Sequence, residues 1–200
     1  MSDLTRAIDE VPRRSLKATP FDVSISVQIA ATLNEIHEIL QDPLGIRTWW
    51  SSSILCAEPL SPAPRTHAGF VMKCFAKGFF PHAFQFRATV VTFERDRFVF
   101  ETRGDFDGVM HIHAMEDGDR VTVTARWLVD VRHPFIQPLV RLRALRPLFR
   151  WNHRWSMRQG TLGLQDAVRR RRLNLPPAPC RQPTFPHNFR HLRVPSRWRC

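Results

Sequence analysis

The stretch of sequence that decides the fold is residues 120–160, RVTVTARWLVDVRHPFIQPLVRLRALRPLFRWNHRWSMRQG, because the repeat of its apolar residues changes partway along. Before Pro134 apolar and polar residues alternate with a period of two, which is typical of a strand with one buried face. After Pro134 the period becomes that of an amphipathic helix. A strand and a long helix that each have one apolar side predict a helix packed across a sheet.

The predicted helix spans residues 135–171 and has two chemically different sides. At about 100° per residue, one side carries arginines and the other carries mainly apolar residues. The arginine side holds Arg143, Arg146, Arg150, Arg154 and Arg158. The side predicted to face the sheet holds Leu145, Leu148, Phe149, Asn152, Trp155, Ser156 and Gln159. Pro147 is a candidate for a kink, because proline cannot donate a helical hydrogen bond.

The residues that precede this stretch predict an antiparallel sheet with two short helices near its start. Phe21–Ile29 alternates strictly and is predicted to be a strand, residues 30–40 have helical spacing, and a second short helix is expected around Trp49. Further strands are predicted over 69–76, 83–93, 97–103, 109–115 and 120–129, while residues 59–64, PLSPAP, are predicted to be a loop. Short turns between consecutive strands produce hairpins, so the fold class is α+β.

The length and charge of the chain predict one domain with two tails. The 200 residues carry a formal net charge of +12, but nine arginines and no acid lie in residues 169–200. The rest of the chain therefore has an excess of only three positive charges, which does not indicate a nucleic-acid-binding domain. We expect a domain over 20–172, an N-terminal tail over 1–19 and a disordered, proline- and arginine-rich tail over 173–200.

The sequence also bears on compartment and redox state. Residues 1–19 contain no apolar run like that of a secretory signal, and no segment approaches the roughly 18 apolar residues of a membrane span. We expect a cytoplasmic protein without a transmembrane segment. The cysteines show no CxxC or similar spacing, so free thiols are predicted rather than a disulfide framework or a zinc site. They are Cys56, Cys74, Cys180 and Cys200.

Four segments carry a resemblance to a known family. They are residues 48–55 (TWWSSSIL), 77–86 (KGFFPHAFQF), 104–108 (GDFDG) and, most specific, 146–160 (RPLFRWNHRWSMRQG). With them the chain resembles the START/Bet v 1-like superfamily over residues 20–172, in the branch of bacterial SRPBCC or polyketide cyclase/dehydrase proteins. The resemblance implies the helix-grip fold, in which a curved antiparallel sheet surrounds a long C-terminal helix. It also implies a cavity between the two that hosts lipids, aromatic polyketides or hormones.

The expected cavity would be lined mainly by aromatic residues, as ligand sites usually are. Trp49 and Trp50 are interpreted either as a gate at the mouth or as ordinary packing on the sheet. Asn152 is an amide on the inward side of the helix, so it needs a partner, either a ligand or a strand. The predicted ligand-binding residues are Trp49, Trp50, Phe84, Phe86, Phe100, Trp127, Phe149, Asn152 and Trp155.

The predicted function is binding of a small hydrophobic molecule, either a lipid or an aromatic, polyketide-like compound, by a monomer or weak dimer without a cofactor. A polyketide cyclase or dehydratase that uses the same cavity is the alternative, so whether the protein is an enzyme stays open. Such an enzyme needs a histidine or carboxylate in the cavity, and His82 is the one candidate. His82 also departs from the family, in which an aromatic hydroxyl is common at this position.

The polar residues outside the expected cavity do not predict a further site with a defined ligand. His111 and His113 lie on one strand face, but two histidines without a third ligand do not make a metal site, and none is expected. His153 is expected at the edge of the helix stripe. The arginines of the C-terminal tail, with Phe185, Phe189 and Trp198, could bind nucleic acid or an anionic membrane, or could be a solvated extension. No specific nucleic acid is expected as a partner.

Overall fold

The computed structural model describes residues 21–61 and 68–179 of the chain. The predicted N-terminal tail, the centre of the proline-rich loop and most of the predicted C-terminal tail lie outside these residues. Within them the chain forms one antiparallel sheet with helices on its inner face, which confirms the α+β fold class.

The sheet has seven strands in the described residues, and its first strand pairs with its last. The strand order is β1-β7-β6-β5-β4-β3-β2, so each neighbouring pair other than β1 and β7 is consecutive in the chain. The sequence did not predict β2, because its burial does not alternate. The strands are β1 Phe21–Ile29, β2 Ile54–Pro59, β3 Val71–Lys77, β4 Ala83–Phe93, β5 Arg97–Gly104, β6 Phe106–Asp117 and β7 Arg120–Val131.

The helices fall into two groups, one between β1 and β2 and one after β7. The first group contains α1 Leu33–Leu40 and α2 Ile46–Trp49, joined by the 3-10 turn Pro43–Gly45. Thr32 and Glu35 form a capping box that fixes the start of α1. The second group contains α3 Gln137–Arg141, the 3-10 turn Arg143–Leu145 and the 27-residue helix α4 Arg146–Arg172.

The prediction of one continuous helix over 135–171 is therefore wrong in its first part. The backbone leaves the helical conformation at Leu142, and α4 begins at Arg146. Pro147 does not kink the helix. It lies in the first turn of α4, where the backbone N–H groups have no helical acceptor and the missing N–H of proline costs nothing.

The buried side of α4 is shifted by one position from the predicted stripe. Leu148 is exposed and Asn152 is half-buried, whereas the fully buried residues lie further along the helix. The shift arises because Asn152 and Trp155 contact the loop between β3 and β4 instead of the sheet. The buried residues are Ser156, Met157, Gly160, Thr161, Leu164 and Val168.

Two glycines let Trp49, at the end of α2, and the adjacent Trp50 approach α4 closely. A Cβ atom on Gly163 would collide with the carbonyl oxygen of Trp49, and one on Gly160 would lie 2.7 Å from the indole of Trp50. Trp50 donates a hydrogen bond from its Nε1 to the carbonyl oxygen of Ser156 at 2.8 Å. These contacts fasten the long helix to the rest of the domain.

No helix in the described parts of the chain is long and apolar enough to cross a membrane. Cys56 and Cys74 are buried and form no disulfide bond, as predicted, and the other two cysteines lie outside the described residues.

Candidate ligand-binding site

A cavity that we call the inner cavity lies between α2, with the adjacent Trp50, and the inner face of the sheet, but it is small. Its volume is about 30 Å³, which is close to the volume of one water molecule. Four of the predicted ligand-binding residues, Trp50, Phe86, Phe100 and Trp127, line it. The remaining lining residues are Ile46, Ile54, Met72, Cys74, Ala88, Thr102 and Met110.

A larger space opens at one end of the domain, where the loop after β3, α3 and the start of α4 meet. Its volume is about 210 Å³, and we call it the outer opening. Three further predicted residues, Phe84, Phe149 and Asn152, line it together with His82. The other lining residues are Phe80, Ile136 and Leu148.

An aromatic wall separates the outer opening from the inner cavity. The ring centroids of Phe84 and Phe106 are 4.3 Å apart, and those of Phe106 and Trp127 are 5.4 Å apart. Phe86 completes the wall at 6.1 Å from Trp127. Sequence reasoning missed Phe106 because it lies in residues 105–108, which had the composition of a turn, whereas β6 begins at this residue. A ring-shaped ligand in the outer opening would contact aromatic faces.

Three buried nitrogen atoms on or beside this wall have no hydrogen-bond partner in the described parts of the chain. They are Nε2 of His82, Nε1 of Trp127 and Nε2 of His153. The ring of His153 lies 5.0 Å from that of Trp127, and the ring of His82 lies 4.7 Å from that of Phe84. Buried polar atoms are nearly always paired in folded proteins, so these three need an explanation. Elsewhere in the described residues, Nδ1 of His37, Nε1 of Trp49 and Nε of Arg97 have no hydrogen-bond partner either.

The expectation that His153 lies at the edge of the helix stripe is thus wrong. Its ring faces Trp127, because the buried side of α4 is displaced toward His153 and Met157. Burial lowers the pKa of His153 to about 4. The side chain is therefore neutral at pH 7, with one nitrogen that donates a hydrogen bond and one that accepts.

His82 lies at the outer opening beside a second histidine that sequence reasoning did not single out. The rings of His82 and His133 are 4.3 Å apart in an edge-to-face arrangement. Burial, and secondarily the nearby His133, lower the pKa of His82 to about 4. His133 follows the end of β7, where no periodic pattern remained that could have placed it.

Asn152 has a protein partner. Its Oδ1 accepts hydrogen bonds from the backbone N–H groups of Phe79 at 2.7 Å and Phe80 at 3.3 Å. A Cβ atom on Gly78 would overlap the Asn152 amide, so a larger residue at position 78 would have to displace that side chain. The protein partner of Asn152 is thus the backbone of the loop between β3 and β4 and not a strand, and the same side chain also forms part of the outer opening.

Two of the predicted residues lie away from both spaces. Trp155 packs on Phe79 with ring centroids 5.5 Å apart. Trp49 lines a separate groove of about 310 Å³ between α1 and the end of α4, where Arg170 is paired with Asp166 at 2.8 Å. The arginines of the groove are already paired, Arg170 with Asp166 and Arg171 with Glu38, so we do not assign it as the site.

The histidines of β6 lie on the outer face of the sheet. His111 and His113 are half-buried there, while Met110, Ile112 and Ala114 are buried on the inner face, as predicted. Within residues 21–61 and 68–179, no group of three or more histidine, cysteine or acidic side chains is placed to hold a metal ion.

Comparison with known proteins finds similarity at the level of structure. No family model and no curated protein matches the chain. A START superfamily protein from Mycobacterium smegmatis superposes with a TM-score of 0.59 at 16% identity, covering 74% of this chain and 97% of that one. The Zhui aromatase/cyclase of a Streptomyces species gives a TM-score of 0.57 at 15% identity, covering 77% and 97%.

The di-domain ARO/CYC protein BexL is also similar, with a TM-score of 0.56 at 14% identity. The match covers 74% of this chain and 50% of BexL. The strand order, the long helix packed across the sheet and these superpositions agree with one another. The chain therefore has the helix-grip fold of the START/Bet v 1-like superfamily.

Proposed function

We propose that the protein is a cytoplasmic binding protein for a small, mostly apolar, ring-sized molecule that carries a hydrogen-bonding oxygen. The domain that binds it comprises residues 20–172 and acts as a monomer or weak dimer. The observation that carries the proposal is the set of three buried, unpaired nitrogens on His82, Trp127 and His153 beside an aromatic wall.

The volumes of the two spaces favour a compact ligand. The inner cavity of about 30 Å³ has room for about one water molecule, so the body of the ligand belongs in the outer opening of about 210 Å³. Trp127 lines the inner cavity and not the outer opening, so the ligand's oxygen has to pass the ring of Phe106 to reach Trp127 and His153. A lipid with long acyl chains would have to displace much of the aromatic wall. Of the two ligand classes expected from the sequence, an aromatic compound is therefore the better fit.

The chemistry of the unpaired nitrogens favours a hydroxyl or carbonyl oxygen on that compound. Trp127 Nε1 is a donor only, so its partner must be an acceptor. A neutral imidazole can donate or accept, so His153 and His82 suit a hydroxyl as well as a carbonyl. Each such bond contributes about 1 kcal/mol, and it also relieves the cost of a buried atom without a partner.

Native mass spectrometry and thermal shift test the proposal. We expect hydroxylated aromatic compounds to raise the melting temperature of the full chain, and fatty acids to raise it less. A ligand present at 100 times its dissociation constant stabilises a protein by about 2.7 kcal/mol, which is a measurable shift. If neither class stabilised the fold and nothing co-purified, the proposal would fail.

A polyketide cyclase or dehydratase activity is the second candidate. His82 and His133 lie together at the outer opening, and Zhui and BexL are an aromatase/cyclase and an ARO/CYC protein by name. A general base works best when its pKa is near the working pH, whereas that of His82 is about 4. The binding role is therefore favoured. Turnover of a poly-β-ketone substrate that disappeared in His82→Phe would reverse this preference.

A further inference from the structure

The region around the outer opening exposes an unusual number of apolar side chains. Five of them, from the end of β7 to the second turn of α4, have exposed fractions between 40% and 79%. Single exposed apolar residues are ordinary, but a contiguous group marks an interaction surface. We call this group and the arginines among it the 135–154 surface. Its apolar members are Phe135, Leu139, Leu142, Leu148 and Trp151.

The same surface is positively charged and has no acid to balance it. Residues 131–165 contain seven arginines and no aspartate or glutamate. Five exposed arginines of this surface have no ion pair with any described residue, whereas Arg170, Arg171 and Arg172 at the other end of α4 pair with Asp166, Glu38 and Glu35. The five are Arg141, Arg143, Arg146, Arg150 and Arg154.

We propose that the 135–154 surface docks the protein onto an anionic lipid bilayer, with the outer opening facing the membrane. Arginines intermixed with phenylalanine, leucine and tryptophan are the composition of segments that lie in the membrane interface. Each arginine near an anionic leaflet contributes attraction, while the apolar side chains enter the headgroup region. Nucleic acid would engage the arginines but would leave aliphatic side chains such as Leu139 and Leu142 without a role.

The geometry links the surface to the outer opening. Leu148 belongs to both the surface and the opening. The ring centroid of Trp151 lies 6.0 Å from that of Phe80, which also lines the opening. Phe135 lies 5.9 Å from His133, which contacts His82. A docked protein would present its opening to the bilayer, in which apolar molecules collect. This link to ligand exchange rests on the proposed function, but the docking itself does not.

Co-sedimentation of the full chain with vesicles tests the docking. The vesicles contain phosphatidylcholine alone or with about one third phosphatidylglycerol, a strongly anionic surface. We expect binding to the anionic vesicles only, weakening as salt shortens the range of the electrostatic attraction. The triple variant Arg143→Gln/Arg146→Gln/Arg150→Gln should reduce the partition coefficient about 100-fold, because each arginine contributes a factor of about five. Phe135→Ser/Leu142→Ser should reduce it about tenfold or more.

A matched control changes the same charge elsewhere. Arg87, Arg95 and Arg120 are exposed on the strands and hairpin turns of the sheet, and their triple replacement by glutamine should leave most of the vesicle binding intact. An equal loss in this control would show that only net charge matters and would overturn the proposal. So would a Phe135→Ser/Leu142→Ser variant that binds vesicles normally while the arginine variant loses retention on heparin, because the surface would then be a general polyanion site.

The two proposals fail separately. The arginine variant should bind 1-naphthol in the absence of vesicles as the wild type does, because none of its three arginines lines the outer opening. Normal vesicle binding without any naphthol binding would contradict the proposed function alone. Normal naphthol binding without vesicle binding would contradict the docking alone.

Discussion

Replacing His153 with leucine should make the fold less sensitive to acid. Burial against Trp127 lowers the pKa of His153 from 6.5 to about 4. Because the folded-state pKa is the lower one, the unfolded chain binds a proton more tightly in acid. The contribution of neutral His153 to stability is therefore complete above its ordinary pKa of 6.5 and is lost as the pH falls through 6.5 toward 4.

The size of the effect follows from the two pKa values. Integrating the linkage between about pH 8 and about pH 5 gives a loss of roughly 2 kcal/mol from this one side chain. That is a large share of a typical domain stability of about 5–15 kcal/mol. Leucine is similar in size to histidine and carries no titratable group, so the variant should escape this loss. At high pH it should be as stable as the wild type or more stable, because an unpaired buried nitrogen is removed.

Urea unfolding followed by tryptophan fluorescence measures both proteins across this pH range. The difference between them cancels the other titrating groups, and it should shift by roughly 2 kcal/mol in favour of His153→Leu between about pH 8 and about pH 5. His113→Leu, on the outer face of β6, is the control: it shows how the replacement of a histidine outside the site changes the unfolding free energy over the same pH range. Parallel profiles for the wild type and His153→Leu, within about 0.5 kcal/mol, would refute the burial of His153.

Two further substitutions test the contacts that hold α4 in place. Asn152→Leu should lower the unfolding free energy by about 1–3 kcal/mol, because the backbone N–H groups of Phe79 and Phe80 lose their acceptor. Asn152→Asp should lower it less. Equal losses for the two variants in thermal melts would contradict this prediction. Gly163→Ala should strongly destabilise the protein or prevent folding, since the Cβ atom of the alanine would collide with Trp49. Leu162→Ala, on the exposed side of α4, should be nearly neutral. A normal melting temperature for Gly163→Ala would show that α2 and α4 are not in contact.

Period-two alternation was enough to predict most of the sheet. A strand with one buried and one solvated face shows this alternation in its sequence. The bounds of β1 and β4 are those predicted. β2 escaped because Cys56 and Ala57 are both buried where the register with β3 shifts. A bulge of this kind breaks the alternation on which the prediction depends.

The phase of α4 was harder to predict than its existence. Arginines and apolar residues define two sides of the helix, but α4 meets two different surfaces, the sheet and the loop that follows β3. Asn152 and Trp155 contact the loop and not the sheet. Because the prediction counted both as facing the sheet, it placed the sheet-facing side of α4 too far from His153. Local periodicity reports that a side is apolar, but not which tertiary element covers it.

Most of the aromatic residues of the candidate site were predicted, whereas of its polar residues only His82 and Asn152 were named from the sequence. Phe84, Phe86 and Trp127 point to the inner face through simple alternation. The unpaired state of a nitrogen depends on every neighbour in three dimensions, and no spacing in the sequence encodes it. His153, His133 and Phe106 could therefore enter the site only once the fold was known.

The most direct test of the proposed function compares two ligands that differ in one group. 1-Naphthol and 1-methylnaphthalene have nearly the same shape, but only naphthol has an oxygen that can accept from Trp127 Nε1 and donate to a neutral histidine. By hydrophobicity alone the methyl compound should bind more tightly. If the unpaired nitrogens bind the ligand, naphthol should instead be favoured about tenfold in the wild type, and the preference should vanish in Trp127→Phe/His153→Leu. An unchanged ratio of the two dissociation constants in that variant, or no binding of either compound to the wild type, would contradict the proposed function.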